Sequence, residues 1–214
     1  MGNPTLASRM FKIKSLFGLN LDIALYNLPH HGLRTKIFYD QHLINPENTP
    51  LTIETMAENI HDLHSSILWL KKEGYDQIGI IGGSLGGYSA ALYATLYSEI
   101  NFIFTVVPSV NLSHVMAPKS KNFNFKITKE LIHKTDTALE IITPDYYQPK
   151  LDSNKIVVVM HSGDKLNLSS DTHQWIKKWS ISNVVEITGG HWIYFDRKKR
   201  GKTWYEWLRK MEFI

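Results

Sequence analysis

The chain has 214 residues, 43% hydrophobic and 21% charged, with a formal charge of +4 and no cysteine. That composition suits an ordinary globular protein with one sizeable core. It excludes a disulfide framework, cysteine-based zinc sites and a cysteine nucleophile.

The N-terminal stretch MGNPTLASRMFKIKSLFGLNLDI lacks the uninterrupted apolar run of a signal peptide. Met1-Gly2 is followed by Leu6 rather than the serine or threonine that myristoylation favours. No run of about 18 apolar residues occurs, so no stable membrane insertion and a cytoplasmic location are expected. Asp22 to Tyr26 reads as a first strand, followed by the turn-rich Leu28-Pro29-His30-His31-Gly32. In residues 52–73, Ile53, Met56, Ile60, Leu63, Ile67 and Leu70 recur every three or four positions. The spacing predicts a helix with one apolar face, with Thr52 as N-cap and Gly74 at its C-terminal end.

Gln77 to Ile81 has the continuous apolar run of a strand covered on both faces. A helix from Leu85 to about Tyr97 and a strand from Phe102 to Val107 follow. Residues 109–152 differ, carrying Asn, Ser, Lys and Pro around an amphipathic stretch near Ile127 to Ile142. They read as an insertion over one edge of the sheet. Ile156 to Met160 is the most β-branched run and the next strand. A helix near Thr172 to Trp179, a strand from Val184 to Ile187 and a helix carrying Trp204, Trp207, Leu208 and Met211 complete the chain. Strands alternating with helices predict an α/β fold: a mostly parallel sheet of about five strands, flanked by helices, in one domain spanning residues 1–214.

Residues 82–86 read Gly-Gly-Ser-Leu-Gly, between a predicted strand and a predicted helix. A serine nucleophile needs a sharp strand-to-helix turn, with glycines where a Cβ would clash with neighbouring backbone. The helix N-terminus then favours negative charge developing beside the serine. A glycine-rich turn with an incidental serine is the bland alternative. A phosphate loop is weaker, because neither G-x-G-x-x-G nor G-K-[ST] is present.

Such a serine requires a base, and the base an orienting carboxylate. After the strand ending at Met160 comes His161-Ser162-Gly163-Asp164, and after the one ending at Ile187 comes Thr188-Gly189-Gly190-His191. Asp164 and His191 therefore sit in loops on the sheet edge that Ser84 occupies, where open α/β sheets place their sites. Asp171 competes for the role of acid, but Ser169-Ser170-Asp171 reads as a helix N-terminus. His61 and His64 lack an obvious third ligand, so no metal is expected, and a serine with its base and acid calls for no organic cofactor. His30 and His31 are candidates to line the pocket mouth.

With these residues in place, the chain resembles the α/β-hydrolase superfamily from about Leu21 onward. The resemblance rests on GGSLGG, HSGD, GGH and LPHHGLR, the last similar to the loop after the fourth core strand of that family. It implies Ser84 as nucleophile, Asp164 as acid, His191 as base, and the Leu85 backbone N–H as one oxyanion-hole donor. It also implies a lid at residues 109–152. In the family a second donor follows an earlier strand. Only about twenty residues precede Asp22 to Tyr26 here, which predicts either a shortened form of the fold or a true start further upstream, with Gly2-Asn3-Pro4 a candidate remnant of the donor loop.

The function expected is cleavage of a carboxylic ester, thioester or related acyl bond in a small-molecule substrate. The alternative is a non-catalytic binding protein on the same fold. Aromatics (Phe123, Phe125, Tyr146, Tyr147) and lysines (Lys119, Lys121, Lys126) in the insertion point to an acyl substrate with some anionic character. The lysines and arginines are otherwise scattered apart from Lys198-Lys199-Arg200, which reads as a solvated face, so no nucleic-acid partner is expected.

Overall fold

The computed structural model describes residues 11, 19–34, 43–45, 48–116, 129–192 and 197–214. Its centre is a parallel sheet of β1 (Gly79–Gly83), β2 (Phe102–Val106), β3 (Ile156–His161) and β4 (Asn183–Ile187), hydrogen-bonded in that order. The strands alternate with α1 (Thr49–Lys72), α2 (Leu85–Leu96), α3 (Leu112–Met116), α4 (Lys129–Leu139), α5 (Ser169–Lys178) and α6 (Arg197–Lys210).

Successive strand residues serve opposite faces of the sheet. Ile103, Ile156 and Val158 point into a core shared with α1, α2 and α5, which contribute Met56, Tyr88, Leu92 and Trp175. Phe102, Phe104, Val157 and Val159 point the other way, onto Trp204, Trp207 and Leu208 of α6. With both faces covered, β2 and β3 are buried at every position. This explains why they read as continuous apolar runs rather than as an alternation.

The apolar stripe of α1 lies where its spacing predicts, with Met56, Ile60, Leu63 and Ile67 buried. Its C-terminal end closes as a Schellman motif. Gly74 takes φ +94, its N–H donates to Lys71 O, and the Tyr75 N–H donates to Leu70 O. The start differs from expectation. Asn48, not Thr52, is the N-cap, its side chain accepting from Leu51 N, with Pro50 in the first turn. Pro50 lacks the N–H that a first turn leaves unpaired anyway, so the helix begins earlier. Thr52 is fully buried and its hydroxyl bonds Asn45 O at 3.0 Å.

Four strands are described where about five were expected, because Asp22 to Tyr26 is not a strand. Side chains rather than a backbone ladder tie this segment down. The Tyr26 hydroxyl donates to Asn59 O at 2.9 Å, and Asp22 accepts from the Tyr75 hydroxyl at 2.9 Å. Burial pushes the Tyr26 phenol up to about 12. Within the insertion, Leu139, Ile142 and Leu151 enter the main core. Lys119, Lys121, Phe123, Phe125 and Lys126 lie outside the described residues, as does Gly2-Asn3-Pro4.

The register fixes one functional edge. Gly83 is level with Val106, Val106 with Val159, and His161 with Ile187. The residues that follow these positions all emerge on the carboxyl side of the sheet.

Candidate active site

Ser84 is the single residue between β1 and α2, with φ 52 and ψ −116. A non-glycine residue there costs on the order of 1–3 kcal/mol and persists only where its surroundings enforce it. Here the Ser84 N–H donates to Val106 O at 2.8 Å, and its carbonyl accepts from Tyr88 N at 3.0 Å and Ser109 N at 3.2 Å. Serine is a favoured N-cap residue, yet this side chain makes no capping bond. The hydroxyl is turned to His191 instead, with Nε2 at 3.1 Å from Oγ.

The glycines around Ser84 have separate jobs. A Cβ on Gly82 would meet Gly86 O at 2.2 Å, and one on Gly87 would stand 3.0 Å from Pro108 Cβ. Gly86 has open space where its Cβ would be. The bond from Tyr88 N to Ser84 O is the first of the helix, so the N–H groups of Leu85, Gly86 and Gly87 precede the ladder. Leu85 thus stands where the N-terminal end of α2 concentrates positive potential.

Asp164 and His191 arrive from two adjacent loops that are laced together. Ser162 N donates to Ile187 O at 3.1 Å and Gly163 N to Gly189 O at 2.9 Å. Gly189 has φ 148, a conformation that favours glycine. His161 Nδ1 stands 2.8 Å from Gly190 O, holding the residue before His191. His191 Nδ1 then lies 2.7 Å from Asp164 Oδ2. Asp164 is 6% exposed and His191 8% exposed.

The second oxygen of Asp164 accepts from Leu166 N at 2.8 Å and Asn167 N at 2.9 Å. Burial alone would raise the pKa of this carboxyl. The hydrogen bonds from His191 and from the Asn167 and Leu166 amides outweigh it and hold the pKa below the ordinary value. The carboxylate is therefore ionised and fixed in orientation opposite Nδ1. Together the three side chains form a hydrogen-bonded line from Asp164 through His191 to the Ser84 hydroxyl.

Asp171 serves another partner. It lies in the first turn of α5 with Oδ2 at 2.8 Å from His114 Nδ1. His64 is stacked on Tyr97 with ring centroids 3.7 Å apart, and His61 Nδ1 stands 3.5 Å from Asp62. Among the described residues no group of three or more His, Cys, Asp or Glu side chains is placed to hold a metal ion. No helix among them is long and apolar enough to cross a membrane. His30 has φ 57, and His31 Nδ1 stands 2.9 Å from Pro29 O, in the turn before the short 3-10 helix Gly32–Arg34. The line from Ser84 to Asp164 is complete without either.

Three contributors were not singled out by the sequence. Asn167 is buried and joins the Asp164 loop to Val107 and Ser109. Val107 is a β-branched residue at φ 45. Trp192 is 54% exposed, with its ring edge-on to His191 at 4.7 Å. Of these, only Asn167 had a local hint. The spacing Asp-x-x-Asn permits the turn in which an Asp side chain caps amides two and three residues on.

No family model matches the chain. Two uncharacterized proteins of Mycobacterium tuberculosis are each 22% identical over 193 residues. The match covers 89% of this chain and 46% of those proteins, so the chain spans about half their length. Among solved structures, an esterase of Pyrococcus furiosus aligns over 94% of this chain and 75% of its own, with 17% identity and a TM-score of 0.62. A monoacylglycerol lipase of Paleococcus ferrophilus aligns over 98% of this chain and 91% of its own, with 12% identity and a TM-score of 0.59. A thermophilic esterase of Thermogutta terrifontis covers 74% of this chain and 67% of its own, with 15% identity and a TM-score of 0.54. A parallel sheet flanked by helices, with a serine elbow after its first described strand and matched over nearly the whole chain by the first two of these structures, is the α/β-hydrolase fold.

Proposed function

We propose that this chain is a serine hydrolase that cleaves a carboxylic ester, thioester or related acyl bond through an acyl-enzyme. The observation that carries the reading is the double engagement of His191, with Nε2 3.1 Å from Ser84 Oγ and Nδ1 2.7 Å from Asp164 Oδ2. In the first half-reaction His191 Nε2 accepts the Ser84 proton as Oγ attacks the acyl carbon. Asp164 holds Nδ1–H and stabilises the imidazolium. The tetrahedral oxyanion is received by the Leu85 N–H at the start of α2. His191 then gives its proton to the departing alcohol or thiol, leaving the acyl group on Oγ. In the second half His191 draws a proton from water, water attacks the ester, and Ser84 regains its proton as the acid leaves.

His30 and His31 are assigned to the rim of the pocket and residues 109–152 to a lid over it. A preference for acyl groups bearing negative charge goes with the lysines of that lid. It predicts a higher kcat/KM for anionic than for neutral esters of equal length. The deciding experiment is reaction with a fluorophosphonate probe followed by peptide mapping. Labelling at Ser84, lost in Ser84→Ala together with turnover of short acyl esters, is the expected result. A folded chain that neither labels nor turns over ester defeats the reading and favours a non-catalytic binding protein.

A further inference from the structure

Two routes join Asp164 to Ser84. One runs through His191. The other runs behind it, through the buried side chain of Asn167. The Asn167 N–H donates to Asp164 Oδ1 at 2.9 Å. Its Nδ2 donates to Val107 O at 2.6 Å, and its Oδ1 accepts from the Ser109 hydroxyl at 2.9 Å. Ser109 N in turn donates to Ser84 O at 3.2 Å. The two routes make a closed ring in which the nucleophile's own backbone is tied to the loop that carries the acid.

We propose that Asn167 is a positioning residue that sets where Asp164, and through it His191, stands relative to Ser84. The proposal rests on the hydrolase reading above. The chemistry at the crossing asks for an amide. Val107 O needs a donor and the Ser109 hydroxyl needs an acceptor, and one primary amide supplies both. A carboxylate of the same shape supplies acceptors only, and an aliphatic side chain supplies neither. Val107 holds φ 45, with its N–H on Val159 O at 2.7 Å. That is a conformation a β-branched residue avoids unless held. Strain of this kind persists only where the surrounding structure enforces it, and it clusters at functional sites. Here the carbonyl so presented is the one that receives Asn167.

The test compares the unmodified chain with Asn167→Asp, Ser109→Ala and the double variant. The readouts are the rate of fluorophosphonate labelling at Ser84, the melting temperature, and the His191 ring signals followed by NMR. Asn167→Asp keeps the shape, removes the donor to Val107 and adds a buried carboxyl near Asp164. Labelling is expected to slow roughly 10- to 100-fold, as for a small misplacement of reacting groups. The deficit should narrow as pH falls and the introduced carboxyl regains a proton to donate. The His191 ring signals should move, because a second carboxyl is introduced beside the Asp164–His191 pair. Ser109→Ala leaves the Ser109 N–H on Ser84 in place and removes the link to Asn167 alone. A smaller loss of the same kind is expected, with the double variant losing little more than Asn167→Asp. Should Asn167→Asp fail to fold, Ser109→Ala carries the test unaided. Unchanged labelling and unchanged His191 ring signals with a lowered melting temperature would make the bridge a structural brace only and overturn the proposal. Failure of the unmodified chain to label at Ser84 would defeat the hydrolase reading instead. The His191 ring signals need no turnover and would still decide whether Asn167 acts on the Asp164–His191 pair.

Discussion

Gly82 and Gly86 face each other across the elbow so closely that a Cβ on Gly82 would lie 2.2 Å from the Gly86 carbonyl oxygen. The contact is with backbone, which has no rotamer to turn aside. Gly82→Ala is therefore expected to destabilise the fold by about 1–3 kcal/mol, as overpacking does. Gly86→Ala meets open space and replaces glycine in the first turn of α2. It should be neutral or stabilise by up to about 1 kcal/mol, the helix-propensity difference. Urea unfolding of both variants checks the pair. Equal effects would mean that the elbow glycines are not distinguished by packing.

The kinetic role of Asp164 is separable from its place in the fold. Asp164→Asn keeps the shape but no longer fixes the His191 tautomer with Nε2 free to accept the Ser84 proton. On the serine-hydrolase reading kcat should drop by about 10⁴-fold with the fold intact. Single-turnover acylation measured beside circular dichroism makes the comparison. A variant that acylates at the unmodified rate would remove Asp164 from the mechanism.

Acid should weaken the fold partly through the same carboxyl. In the folded chain the Asp164 pKa lies below its ordinary 3.8, burial being outweighed by the His191 and backbone hydrogen bonds. A lowered folded pKa means that the unfolded chain binds the proton first as pH falls. The stability contributed by this group is thus complete above the ordinary value. It is lost as pH falls from there through the folded pKa. Unfolding free energies of the unmodified chain and Asp164→Asn should therefore converge on going from pH 7 toward pH 3, a range chosen to bracket the ordinary carboxylate pKa. A gap that stays constant over that range would contradict the assignment.

Burial, more than charge, decides which polar contacts matter elsewhere. The Tyr88 hydroxyl, in a fully buried side chain, donates to Ile142 O at 2.5 Å. Tyr88→Phe strands that carbonyl and should cost about 1–3 kcal/mol. Arg34 pairs with Glu58 at 3.0 Å and Asp62 at 2.6 Å, but all three side chains are partly exposed. Breaking these pairs by Arg34→Ala should cost no more than about 1 kcal/mol. Chemical denaturation of the two variants ranks the two contacts.

Strands β2 and β3 were legible because both faces of the sheet are covered there, which writes itself as unbroken apolar runs. Ser84, Asp164 and His191 were legible because each follows a strand, and because parallel strands send all their carboxyl ends to one edge. Asp22 to Tyr26 misled for a related reason. An apolar-rich segment has the composition of a strand whether or not a neighbour pairs with it, and here Tyr26 is held by Asn59 of α1. The N-cap was misplaced because Thr52 and Asn48 are both good capping residues, and only Pro50 between them decides. The Asn167 bridge was invisible because its partners, Val107 and Ser109, stand 60 and 58 residues away. A contact between two loops imposes no period on either.

The strand order also has a bearing on the chain as it is made. Because β1 to β4 are laid down in sequence, the serine elbow is synthesised 107 residues ahead of His191. On the serine-hydrolase reading a nascent chain carries Ser84 before the imidazole that would take its proton, and Asp164 before the residue it would orient. On that reading the hydroxyl gains its base only after the last described strand has been made, so the order of synthesis would itself delay its reactivity.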